Sequence, residues 1–169
     1  PYDYQTKAAR AFIDAGGHGV VVLACGGGKT VVAMVTLHAL GTRALVLTAG
    51  REAASQWRRE LLAKTTLGPE EVAVYGTDKK TIAPVTVTTY SMLAQKGGSG
   101  PTRHKHFDTL ASEPWGLVIY DEVHLLPAPV FRLTAELQAK RRLGLTATLV
   151  REDGREGDVF ALIGPKRYD

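Results

Sequence analysis

The sequence predicts an α/β domain with a mainly parallel sheet and helices on both faces, and three observations lead there. Short apolar runs alternate with segments of helical periodicity, without any internal repeat. The runs over residues 20–23 and 117–120 are apolar throughout, as strands buried on both faces must be. Each breaks at its end into residues of another kind, Cys25-Gly26-Gly27-Gly28-Lys29-Thr30 in one case and Asp121-Glu122-Val123-His124 in the other. Strands joined through helices imply βαβ crossovers and hence parallel pairing.

A first helix is predicted over residues 4–15, where Ala8, Ala9, Phe12 and Ile13 recur at helical spacing. Residues 20–23 form a strand, and residues 30–40 a largely apolar, buried helix. A strand over residues 44–48 and a helix over residues 52–63 follow. Residues 72–75 and 85–88 read as strands and residues 91–95 as a short helix, whereas Gly97-Gly98-Ser99-Gly100-Pro101 reads as a flexible stretch. A strand over residues 117–120, a helix at about 130–140 and a strand over 143–147 complete the pattern.

The length of 169 residues suits one domain spanning 1–169 with a core of its own. Hydrophobic residues make up 44% and charged residues 22%, which excludes a disordered chain. No apolar run approaches the roughly 20 residues of a bilayer-spanning helix, and no signal peptide opens the sequence. Cys25 is the single cysteine, so a reducing, intracellular setting is expected. The net charge of +4 favours a polyanionic partner. Basic residues gather at Arg58-Arg59, Lys79-Lys80, Arg103-His104-Lys105-His106, Lys140-Arg141-Arg142 and Lys166-Arg167, although such clusters are also ordinary solvated surface. Two histidines without a nearby cysteine make a poor metal site.

The glycine run has the chemistry of a phosphate-binding loop. Phosphates need inward-pointing N–H groups, which a bare backbone can supply and a helix N-terminus reinforces. Ala24, Cys25, Gly26, Gly27, Gly28, Lys29 and Thr30 are therefore expected to line a nucleotide, with Lys29 on the β and γ phosphates and the Thr30 hydroxyl on Mg²⁺. The strict GxxxxGK[ST] pattern is broken by Leu23. Ligands in open α/β sheets bind beyond the carboxyl ends of strands, where Asp121 and Glu122 emerge. Asp121 is expected to hold Mg²⁺ through water and Glu122 to orient and deprotonate the attacking water. The bland alternative is that the acidic pair caps the next helix.

In the order Gly26-Gly27-Gly28-Lys29-Thr30, Asp121-Glu122-Val123-His124 and Thr146-Ala147-Thr148, the chain resembles motifs I, II and III of superfamily 2 helicases, and its layout is RecA-like. The stretch Leu145-Thr146-Ala147-Thr148-Leu149-Val150-Arg151-Glu152-Asp153 and the ending Ile163-Gly164-Pro165-Lys166 look like the XPB helicase family, especially its bacterial members. Leu23 and Cys25 also resemble that family's form of motif I. The resemblance spans essentially the whole chain and implies the first RecA-like motor lobe of an ATP-dependent, 3′ to 5′ DNA helicase or translocase linked to nucleotide excision repair. A motor lobe of another superfamily 2 translocase, or a non-hydrolysing nucleotide-dependent module, are the alternatives. A P-loop kinase or GTPase-like switch would not explain Asp-Glu-Val-His followed by Thr-Ala-Thr.

The resemblance also assigns roles. Gln5 looks like the glutamine that reads adenine, with Tyr4 or Tyr2 nearby for stacking; otherwise it is a polar residue at a helix start. Thr48, Arg51, Thr88, Thr89 and Tyr90 look like nucleic-acid contacts, which would grip phosphates without reading sequence. Trp57 suits the core better than a base platform. His124, Thr146 and Thr148 are expected to couple the γ-phosphate to DNA grip, with strand-end packing as the alternative for Thr148. Arg151, Glu152 and Asp153 resemble a motif tied to duplex opening, or else form a charged surface loop. Expected partners are duplex and single-stranded DNA, a second RecA-like lobe and a repair nuclease, with no membrane, in the cytoplasm of a bacterium and associated with its nucleoid. Such a second lobe would supply arginines worth ~10³ to 10⁵ in rate. The 169 residues alone are therefore expected to be nearly inactive as an ATPase.

Overall fold

The computed structural model describes residues 1–97, 104–148 and 154–169. The stretch from Gly98 to Pro101 and the triplet Arg151, Glu152 and Asp153 lie outside the described residues. Along the chain run α1 (Asp3–Asp14), β1 (His18–Val22), α2 (Lys29–Leu40), β2 (Ala44–Thr48), α3 (Arg51–Lys64), β3 (Val72–Val74), β4 (Val85–Thr89) and α4 (Tyr90–Ala94). Then come α5 (Phe107–Ala111), β5 (Leu117–Tyr120), a 3-10 turn (Val123–Leu125), α6 (Ala128–Ala135), β6 (Arg142–Thr146), α7 (Glu156–Ile163) and β7 (Lys166–Tyr168).

Among the described residues the strands form one seven-stranded sheet in the order β3-β4-β2-β5-β6-β1-β7. Every pairing is parallel, in agreement with the expected fold class. Alternation along β2 shows how the sheet divides its core. Ala44 and Val46 pack with Phe12, Val32 and Leu61 from α1, α2 and α3, whereas Leu45 and Leu47 pack with Leu93, Leu110, Val130 and Ile163 from α4, α5, α6 and α7. Successive side chains of a strand point to opposite faces, so the four apolar residues Ala44 to Leu47 can serve two helical layers.

The central elements lie within one or two residues of expectation. The helix expected at 130–140 instead covers Ala128–Ala135. The buried Arg142 guanidinium explains its early end, because it donates to the carbonyls of Thr134 at 2.8 Å and Leu137 at 2.5 Å and to the Tyr120 hydroxyl at 2.6 Å. An arginine from the next strand thereby closes the helix. Three elements, α5, α7 and β7, carry no clear signal in the sequence. The last is a short edge strand, Lys-Arg-Tyr, that pairs with β1 through Val20 and Lys166.

Candidate nucleotide and metal site

The candidate residues stand at the carboxyl ends of five adjacent strands. Across that edge come Thr88, Thr89 and Tyr90 after β4, Thr48 and Arg51 after β2, Asp121 and Glu122 after β5, Thr146 and Thr148 after β6, and the glycine loop after β1. A cleft of about 460 Å³ between this edge and α3 is lined by Gly26, Gly28, Lys29, Thr30, Trp57, Asp121 and Glu122, together with Gln56, Glu60 and Lys64. A larger, mainly apolar hollow of about 1120 Å³ adjoins it beside Tyr2, Gln5 and Met34. That hollow contains none of Lys29, Asp121 and Glu122, so the smaller cleft is the candidate site.

The loop owes its shape to two glycines. Gly26 has φ 79° and Gly28 φ 76°, left-handed values that side chains resist. A Cβ on Gly28 would also meet Nε2 of Gln5 at 2.2 Å. Gly28 caps α2, so Lys29 and Thr30 begin the helix and its free N–H groups face the cleft. Gln5 reaches the loop from α1: its Nε2 donates to the Gly27 carbonyl at 3.2 Å and to the Tyr4 hydroxyl at 3.4 Å, and its Oε1 accepts from the Tyr2 N–H at 2.9 Å. Both amide protons are thus spent on the protein, and the side chain acts as a brace between helix start and loop. Tyr2 and Tyr4 stack with centroids 5.9 Å apart, and Tyr2 is 72% exposed.

Lys29 Nζ lies 3.3 Å from Glu122 Oε1, and Glu122 Oε2 lies 3.4 Å from His124 Nδ1. Glu122 is, among the described residues, the one non-glycine with positive φ, at 45°. Such a conformation costs about 1–3 kcal/mol and is held only by its surroundings. Here it turns the chain from β5 into the 3-10 turn. Asp121 faces α3 instead, where Trp57 Nε1 donates to its Oδ2 at 2.8 Å. Burial pushes the Asp121 carboxyl above its ordinary value and the Glu122 charge adds to this, while the Trp57 bond and Lys29 oppose it. The functional partner that sequence reasoning missed is therefore Trp57, which is core, as expected, but also a donor to the acidic pair.

Proton counting orders the next link. Thr146 Oγ1 donates its only proton to the Thr148 carbonyl at 2.5 Å, and accepts from the Thr148 N–H at 3.2 Å. Its 2.8 Å contact with His124 Nδ1 must then be donated by the imidazole, which carries its proton on Nδ1. Glu122, His124 and Thr146 form a continuous polar chain from the cleft to the end of β6.

The five expected nucleic-acid residues divide. Arg51 is exposed and donates to Thr77 at 2.6 Å and Asp78 at 3.1 Å. Thr48 and Thr88 are fully buried, and their hydroxyls donate to the carbonyls of Thr88 and Tyr75. Thr89 caps α4 by accepting from the Met92 N–H. The Tyr90 ring is buried as well, with its hydroxyl on the Asp121 carbonyl at 2.7 Å. The side chains of Thr48, Thr88 and Tyr90 therefore face the protein, where each ties one strand end to another. Several basic residues are structural too: Arg58 donates to Val72, Arg167 to His18, and Arg142 is buried.

The residues present fit a magnesium-dependent nucleotide. Thr30 and Asp121 share the cleft, and no cluster of three or more His, Cys, Asp or Glu occurs among the described residues. A few protein oxygens beside phosphates suit Mg²⁺, which keeps most of its waters, better than a dedicated cage would. A glycine loop capping α2, an acidic pair two strands away and an all-parallel sheet between them define a RecA-like P-loop motor lobe.

The chain belongs to the family described as "Type III restriction enzyme, res subunit", whose model matches residues 1–151, and within it the lobe is XPB-like. It is 56% identical over 167 residues to "DNA 3'-5' helicase XPB" of Mycobacterium tuberculosis, covering 99% of this chain and 30% of that protein. It is 41% identical over 156 residues to the "General transcription and DNA repair factor IIH helicase/translocase subunit XPB/SSL2" of Saccharomyces cerevisiae, covering 89% of this chain and 18% of that protein. Its fold matches the "Sulfolobus solfataricus SWI2/SNF2 ATPase core in complex with dsDNA" with a TM-score of 0.72 at 22% identity, over 96% of this chain and 35% of that one. The chain thus spans 30% or less of these curated relatives' length. Among the described residues, no helix is long and apolar enough to cross a membrane.

Proposed function

We propose that this chain is the ATP-binding first motor lobe of an XPB-like, ATP-dependent helicase or translocase that moves 3′ to 5′ on DNA, in repair of the nucleotide-excision type or in DNA opening. The observation that carries the reading is the convergence of Lys29, Thr30, Asp121 and Glu122 on one cleft. The identity with proteins named DNA 3'-5' helicase supports the polarity and the track.

In this reading the N–H groups of residues 26–30 and the Lys29 ammonium bind the phosphates. Lys29 then exchanges Glu122 for the γ-phosphate, which frees the Glu122 carboxylate to orient water and take its proton. Thr30, and Asp121 through water, would hold Mg²⁺, which would neutralise phosphate charge and lower the barrier to its transfer. Adenine lies against Tyr2 or Tyr4, and reading it requires Gln5 to release one of its backbone partners. Arg51 and the backbone at the ends of β2 and β4 grip DNA phosphates, while His124, Thr146 and Thr148 relay occupancy of the cleft. A second RecA-like lobe and a repair nuclease are the partners this role calls for, in a cytoplasmic, nucleoid-associated protein.

The test is a Glu122→Gln variant of the full-length protein. It should bind ATP and DNA yet stop hydrolysing, and unchanged hydrolysis would refute the assignment. Stimulation of the parent by DNA rather than RNA checks the track.

A further inference from the structure

Three of the hydrogen bonds that hold Asp121 come from its neighbours on one side. Its N–H donates to the Leu47 carbonyl at 2.9 Å, its own carbonyl accepts from the Tyr90 hydroxyl at 2.7 Å, and its Oδ2 accepts from Trp57 Nε1 at 2.8 Å. Leu47 is in β2, Trp57 is in the helix that follows β2, and Tyr90 opens the helix that follows β4. Trp57 is 4% exposed and packs in the core between α3 and the sheet, so its ring has little freedom to turn. A rigid ring presenting one N–H to one carboxylate oxygen fixes the rotation of that carboxylate. The tyrosine hydroxyl fixes the same residue's backbone.

We propose that Trp57 is a positioning residue for the metal side of the reaction: its indole N–H, on Oδ2, fixes the Asp121 carboxylate at the cleft, with Tyr90 locking the backbone behind it. The inference rests on the nucleotide-hydrolase reading above and adds to it a residue outside its motifs. It also gives α3 a second task. Arg51, at the exposed start of α3, stands six residues before Trp57, about 9 Å along the helix axis. A phosphate bound at that end and a carboxylate held at the middle are borne by one rigid element.

The experiment compares the full-length protein with its Trp57→Phe variant, which keeps an aromatic ring and loses the donor. Mn²⁺, as a spectroscopic stand-in for Mg²⁺, is titrated in the presence of ADP and followed by the electron paramagnetic resonance of the free ion. Partners behind a metal ligand are worth about 10- to 100-fold in affinity. The expected result is a Mn²⁺ dissociation constant raised about tenfold or more, well beyond any change in metal-free ADP binding. Equal Mn²⁺ affinity in a folded variant would overturn the proposal. If Trp57→Phe fails to fold, replacing Trp57 with benzothienylalanine, whose sulphur stands where the N–H was, applies the same criterion with the ring shape retained. A parent protein without any ADP-dependent Mn²⁺ site would instead remove the hydrolase reading itself.

Discussion

Lys29 Nζ and Glu122 Oε1 meet at 3.3 Å, the lysine side chain mostly buried and the carboxylate borne on a strained, left-handed residue. The pair joins the two halves of the cleft, and the side chains play unequal parts in it. In the proposed reaction Lys29 binds charge that is present throughout, whereas Glu122 acts on the proton of the attacking water. In the full-length protein, Glu122→Gln should lower kcat by about 10² to 10⁴ with ATP affinity nearly kept. Lys29→Ala should weaken ATP binding itself. Turnover and equilibrium nucleotide binding, measured side by side, distinguish the two.

Gly28→Ala should abolish nucleotide binding without unfolding the sheet. The new methyl would lie 2.2 Å from Gln5 Nε2, and φ 76° adds about 1–3 kcal/mol of local strain. Nucleotide titration together with a circular dichroism melt would check this. Tight binding by the variant would show that the loop can be reshaped at little cost.

The polar chain through His124 ends on Thr146, whose hydroxyl also holds the Thr148 backbone. Thr146→Ala combined with Thr148→Ala should keep ATP hydrolysis and lose strand separation. Thr146→Ala alone should account for most of the effect, since its oxygen makes all three bonds. Parallel loss of hydrolysis and unwinding would count against a coupling role.

His106 is buried, with Nδ1 3.0 Å from the Tyr75 hydroxyl, and its pKa is lowered by burial first and by Lys80 and Lys105 next. A lowered native pKa means that the unfolded chain binds the proton more readily. The stability this imidazole contributes is complete above its unfolded value of about 6.5 and is lost as pH falls below it. His106→Asn should flatten the dependence of melting temperature on pH between neutrality and pH 5. A slope identical to the parent's would assign the acid sensitivity elsewhere.

Arg142 donates to Tyr120, Thr134 and Leu137 from a buried position. Arg142→Met should destabilise the lobe by about 2–4 kcal/mol, because it strands a hydroxyl and two carbonyls away from water. Chemical denaturation reads that loss, and an unchanged midpoint would mean water satisfies them.

Much of this architecture is written locally and can be read from the chain. A run such as residues 117–120 is apolar on both faces because it lies between helices, and the glycines at 26 and 28 are needed wherever the backbone turns left-handed. Both signals are complete within a few neighbours. The five-residue α5 and the charged edge strand β7 lack them, as their stability comes from what they dock against. The same holds for the end of α6, which depends on a guanidinium from β6.

Local residue chemistry therefore settled the fold class and the placement of the glycine loop and the acidic pair at strand ends. The order β4-β2-β5-β6-β1 across the sheet settled who touches whom. Strand order places Trp57 and Tyr90 on Asp121 and His124 on Thr146, and it turns Tyr90 inward where sequence reasoning had it facing DNA. Side-chain type and spacing encode what a residue can do. Hydrogen bonds between distant segments depend on how the whole sheet is threaded, and no window of the sequence contains that.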